Sequence, residues 1–113
     1  TGVSAGQPGI VACSIPRALC DATAGSPFAG IPDYTVVRVY LPRTGKIVYA
    51  PIIDEGPGWS AKAGTGIPGS AMIDLTPQAW IDLGGTPGKN EMVLIRILRG
   101  SEKMGKEWAE NWK

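Results

Sequence analysis

Thr35-Val36-Val37-Arg38-Val39-Tyr40-Leu41, then Pro42-Arg43-Thr44-Gly45, then Lys46-Ile47-Val48-Tyr49-Ala50-Pro51-Ile52-Ile53, is the stretch whose reading decides the fold. Both apolar runs are rich in β-branched and aromatic residues, and turn-type residues separate them, so together they read as a β-hairpin. Gly45 supplies the positive φ that a short turn needs. Pro51 has no N–H to offer a ladder, which predicts that the second strand is edge-like or bulged there.

Moving toward the C-terminus, Asp54 to Ser70 carries Gly56, Pro57, Gly58, Gly64, Gly66, Pro68 and Gly69. That many breakers make a long loop, and long loops inside compact domains are often functional. A brief strand over Ala71–Leu75 follows. The stretch Thr76 to Gly84 then has full helix punctuation, with Thr76 as N-cap, Pro77 at the first helical position and Gly84 just past the end. Met92–Leu98 reads as a final strand. The tail, 100–113, sets Met104, Trp108 and Trp112 at successive i, i+4 positions, predicting an amphipathic helix whose stripe either docks on the domain or offers a partner-binding face. Toward the N-terminus, residues 1–33 read as ordered loop with one short strand at Gly9-Ile10-Val11-Ala12-Cys13.

Composition narrows the function classes. The 113 residues hold 43% hydrophobic and 19% charged residues, the profile of one ordinary globular domain. The 16 Gly and 10 Pro are about twice the usual share and favour a loop-rich β protein. No apolar run approaches the ~18 residues of a membrane-spanning helix. A net charge of +1 with scattered Lys and Arg offers no basic stripe for nucleic acid. Zero histidines exclude Ser-His-Asp and Cys-His catalysis and most zinc sites. Cys13 and Cys20 are too few to hold a metal alone, and their spacing admits either a small disulfide loop or two free thiols. Gly64-Thr65-Gly66-Ile67-Pro68-Gly69 lacks the Lys-Ser/Thr ending of a phosphate loop and opens no helix after a strand, which argues against nucleotide binding. The chain opens at Thr1 without an initiator Met or a signal-like segment, as a processed or trimmed domain would.

Asp54-Glu55-Gly56-Pro57, Ile73-Asp74-Leu75-Thr76 with Pro77 and Ala79, and Leu83-Gly84 follow one another in an order that resembles the double-psi β-barrel domains of the rare lipoprotein A family and their expansin and barwin-like relatives. The likeness covers Val36 to Leu98. It implies a mainly β fold, a six-stranded closed double-psi β-barrel over residues 1–99 with one short helix at about 76–84, and a C-terminal tail, 100–113, with its own helix. It further implies a monomer outside the cytoplasm, whether extracellular, periplasmic or wall-associated, that meets cell-wall polysaccharide in a groove without metal or cofactor.

By that resemblance Asp54 and Asp74 lie near one another in the groove as catalytic candidates, with Glu55, Gly56, Pro57 and Trp59 as the substrate-binding set. Each aspartate ends or interrupts an apolar run, so partial desolvation is expected to push its carboxyl upward and keep a proton available for a glycosidic oxygen. An Asp opening a Gly-Pro turn or preceding a helix equally serves to bind backbone N–H groups. Glu55, next to Asp54, is expected to point away by strand alternation. Trp59 suits stacking on a sugar ring or capping the core, Trp80 suits packing, and Tyr34, Tyr40 and Tyr49 suit either the groove or strand pairing. Lytic family members resemble each other in having a groove histidine, which this chain lacks. A lytic transglycosylase with Asp as acid and base therefore stands beside a noncatalytic, expansin-like wall-binding module and a protein-interaction domain built on the Met104, Trp108, Trp112 face.

Overall fold

Residues 9–15, 30–54, 73–87 and 91–111 are described by the computed structural model. Strand β1 is Cys13–Ser14, β2 Val36–Leu41, β3 Lys46–Asp54, β4 Asp74–Leu75 and β5 Leu94–Leu98; helix α1 is Pro77–Asp82 and helix α2 Glu102–Glu110. The strands form one mixed sheet in the order β4-β1-β3-β2-β5. β1 runs parallel to β3, and the other pairs are antiparallel.

The hairpin forms as its residues predict, with register from Leu41↔Lys46 to Val36↔Pro51. Gly45 takes φ 73 and donates to the Leu41 carbonyl at 2.9 Å. Period-two alternation then sorts the side chains. Val37, Val39 and Leu41 on β2 and Val48, Ala50 and Ile52 on β3 are buried, joined by Cys13, Ile15, Ala79 and Leu83. Each large aliphatic chain so buried contributes about 1.5–3 kcal/mol. Arg38, Tyr40, Ile47 and Tyr49 occupy the alternate, outward positions.

Pro51 sits where the expectation drawn from it holds: β3 has β2 on one side there, but its pairing with β1 begins only at Ile52 and shifts register before Asp54. The reason is local geometry. Ile52 donates to Thr35 at 3.0 Å and accepts from Tyr34 at 2.7 Å, so its polar groups face β2 and those of the preceding residue face the other way. Pro51 therefore removes no bond from the β2–β3 ladder, and on its other side pairing with β1 begins only at Ile52.

Among the described residues the sheet has five strands and is open, ending at β4 on one side and β5 on the other. The expected six-stranded closure is not among these pairings. β1 and β4 are two residues each, and a register shift between Cys13 and Ser14 interrupts the pairing with β3.

Helix α1 has the punctuation read from its sequence: Thr76 caps it, Pro77 occupies the first turn, and Gly84 turns away at φ 77. Trp80 packs against the core, as expected of it. Helix α2 docks differently from the aromatic stripe. Its buried residues are Gly105 and Ala109, whereas Met104 is 39% exposed and Trp108 half-buried; Trp112 lies outside the described residues. The contact is tight, since a Cβ on Gly105 would lie 1.8 Å from the Tyr34 carbonyl oxygen and 3.1 Å from Pro51 Cβ. Tyr34 itself adopts φ 70, a left-handed conformation costly for a non-glycine residue. Ser101 anchors the helix start by accepting from the Val36 N–H at 2.8 Å and donating to the Leu98 carbonyl.

Candidate functional site

Ser14 organises the region that holds both motif aspartates. On one side its register partner is Asp54, at the end of β3, and on the other it is Asp74, at the start of β4. The three residues stand abreast on adjacent strands. At about 4.8 Å per strand, the backbones of Asp54 and Asp74 are about 10 Å apart.

Asp74 is held there by the residues that follow it. Thr76 donates its N–H to the Ala12 carbonyl at 3.0 Å, while its hydroxyl oxygen accepts from the Ala12 N–H at 3.1 Å and from Ala79 at 3.4 Å and donates to the Ile10 carbonyl at 2.6 Å. One buried hydroxyl thus ties the entry to β1, the exit of β4 and the first turn of α1 together. Gln78 adds a tie by accepting from the Gly9 N–H at 3.2 Å.

The Asp74 side chain is exposed, which corrects the expectation that the apolar run it interrupts desolvates it. Among the described residues β4 is the outermost strand of the sheet. Glu55, Gly56, Pro57 and Trp59, the proposed sugar-contacting set, lie outside the described residues. Cys13, beside Ser14, is a free, buried thiol whose Sγ donates to the Ala50 carbonyl at 3.4 Å. Burial pushes this thiol far above its ordinary range, so it stays protonated and serves packing rather than nucleophilic chemistry. Cys20 lies outside the described residues.

Tyr49 is on β3 with Asp54 but five residues earlier, about 16 Å along the strand. Tyr40 pairs with Ile47 and Leu94, away from the Ser14 row. Tyr34 is half-buried beneath α2. None of the three joins the aspartates. Ser14 was not a sequence candidate, and nothing local marks it, because its place depends on two pairings to distant chain segments.

No protein-family model, curated protein or solved structure matches the chain. The site therefore has to be judged on its own chemistry. Among the described residues no group of three or more Cys, Asp or Glu side chains is placed to hold a metal ion, and no helix is long and apolar enough to cross a membrane. What the arrangement offers is Asp54 and Asp74 in backbone register with Ser14, one on either side, at one end of a sheet.

Proposed function

We propose that the chain is a cell-wall glycan-acting domain of the double-psi β-barrel type, closed by a sixth strand, in which a peptidoglycan strand lies across Ser14 between Asp54 and Asp74. The observation that carries this reading is the shared register of both aspartates with Ser14. Backbones about 10 Å apart are compatible with the carboxyl separations of about 5–9.5 Å used in two-acid glycoside chemistry. One carboxylic acid gives its proton to the glycosidic oxygen as the bond to the anomeric carbon breaks. The resulting carboxylate then takes the proton of the attacking hydroxyl, which in a lytic transglycosylase belongs to the sugar itself and closes an anhydro ring. The same reading puts the domain in the periplasm, at the wall or outside the cell.

The exposure of Asp74 favours a second form of this reading, in which the groove binds or loosens wall polymer without cutting it. A general acid working near neutral pH is usually shielded from water, and Asp74 is not.

Purified sacculi distinguish the two. Cosedimentation of the protein with sacculi is expected in both. Anhydro-muramyl products by mass spectrometry identify a transglycosylase, new reducing ends a hydrolase, and unchanged glycan the binding form. Activity that survives both Asp54→Asn and Asp74→Asn, or absence of cosedimentation, overturns the assignment.

A further inference from the structure

The outward face of β3, β2 and β5 carries a second cluster that the aspartate site does not use. Register places Tyr49, Arg38 and Arg96 abreast in one row and Ile47, Tyr40 and Leu94 abreast in the next. Strand and residue spacings give this grid a footprint of about 10 Å by 7 Å. Tyr49 is 48%, Ile47 39% and Leu94 57% exposed. The following row, Pro51, Val36 and Leu98, is where α2 closes the face over Pro51.

Arg38 directly opposite Arg96 is a like-charge cross-strand pair, an arrangement that costs stability. Guanidinium groups cannot relieve it by losing a proton. The three rows contain no carboxylate, and neither Arg38 nor Arg96 has a hydrogen bond or ion pair among the described residues, in contrast to Arg43, which pairs with Glu91 at 2.6 Å. Among the described residues no carboxylate neutralises the pair.

We propose that this face binds a carboxylate-bearing sugar unit, with Arg38 and Arg96 clamping the carboxylate and Tyr49 lying against the ring. Planar guanidinium forks match a carboxylate in two-point geometry, and the flat aromatic face suits a pyranose. A nucleic-acid strand is a poorer fit, since tight binding takes about 6–10 phosphate contacts and these rows supply two cations. The choice of an acidic sugar over an acidic peptide rests on the wall-glycan reading, while the anion site itself rests on the arginine pair.

The test is titration of the ¹⁵N-labelled protein with tri-galacturonate, beside neutral chitotriose and hexaglutamate. Tri-galacturonate is expected to shift the amide signals of residues 38, 49 and 96, and to bind roughly tenfold more weakly to Arg38→Gln or Arg96→Gln. Salt is expected to weaken it, and Asp74→Asn to leave it unchanged. Each arginine variant is expected to keep or raise the urea midpoint, because the repulsion is relieved, so lost binding is not lost folding. No shift at these amides, equal binding of chitotriose, or wild-type affinity in both arginine variants overturns the anion site. Hexaglutamate binding as tightly as tri-galacturonate overturns the sugar assignment. Failure of the groove reading is seen separately, in sacculus cosedimentation and products with Asp54→Asn and Asp74→Asn, neither of which touches the arginine row.

Discussion

Thr76 and Ala12 exchange two hydrogen bonds, one from the Thr76 N–H to the Ala12 carbonyl at 3.0 Å and one from the Ala12 N–H to the Thr76 hydroxyl at 3.1 Å. The hydroxyl is also bonded to Ile10 and Ala79 and is only 6% exposed as a residue. Thr76→Val keeps the shape and deletes these hydroxyl bonds, leaving buried backbone groups without partners. Each such orphan costs about 1–3 kcal/mol. We expect Thr76→Val to lose at least ~2 kcal/mol in urea unfolding, and Thr76→Ser much less. Equal midpoints for the two variants contradict this role.

Gly105→Ala tests the docking of α2. In a solvent-exposed helix interior this change stabilises by about 1 kcal/mol. Here the added methyl meets the Tyr34 carbonyl oxygen at 1.8 Å, backbone that has no side-chain rotamer to retreat to. The sign is therefore expected to reverse, with a loss of ~2 kcal/mol or more, whereas Lys106→Ala on the exposed side changes little. A stabilised Gly105→Ala removes the close contact from the account.

Glu91 and Arg43 give a pH signature. The Arg43 guanidinium holds the Glu91 carboxyl below its usual 4.5, first by hydrogen bonding. A carboxyl depressed in the folded state contributes stability that is present above its unfolded value and is lost as pH falls through the folded one. The wild type is expected to lose more stability than Glu91→Gln on acidification from about pH 5 downward. The two curves should run parallel at neutral pH, and a parallel course through the acid range as well rules the linkage out.

Cys13 is expected to resist alkylation in the native protein and to react in guanidinium chloride without added reductant, read by peptide mass spectrometry. Its burial and raised protonation affinity both protect it. A requirement for reductant before labelling shows that Cys13 is bridged instead.

Local signals were readable where one segment decides its own conformation. The Thr76, Pro77 and Gly84 punctuation defines α1, and the β-branched runs around Gly45 define the hairpin. Signals that depend on a distant neighbour were not. Pro51 marked the point where one side of β3 lacks a partner, but that β1 takes up the pairing from Ile52 onward was not readable. The Met104 and Trp108 stripe drew the eye, yet α2 docks one position along, through Gly105 and Ala109. A mid-helix glycine with alanine four residues later was the available clue, marking a backbone approach that no larger residue permits. At the candidate site the likeness in motif order suggested that Asp54 and Asp74 lie close together. That Ser14 stands between them follows from strand order, which no single segment reveals.

Asp54 and Asp74 belong to strands that share no ladder, and β1 is the wall between them. The geometry of the pair is therefore lent by two residues that come forty positions earlier than the nearer acid. A chain shortened past Ser14 keeps both carboxylates and loses the spacing between them. Cutting at the N-terminus would act as a mutation of the site without altering a single one of its acids, and a peptide spanning residues 9–15, supplied separately, is the natural complement.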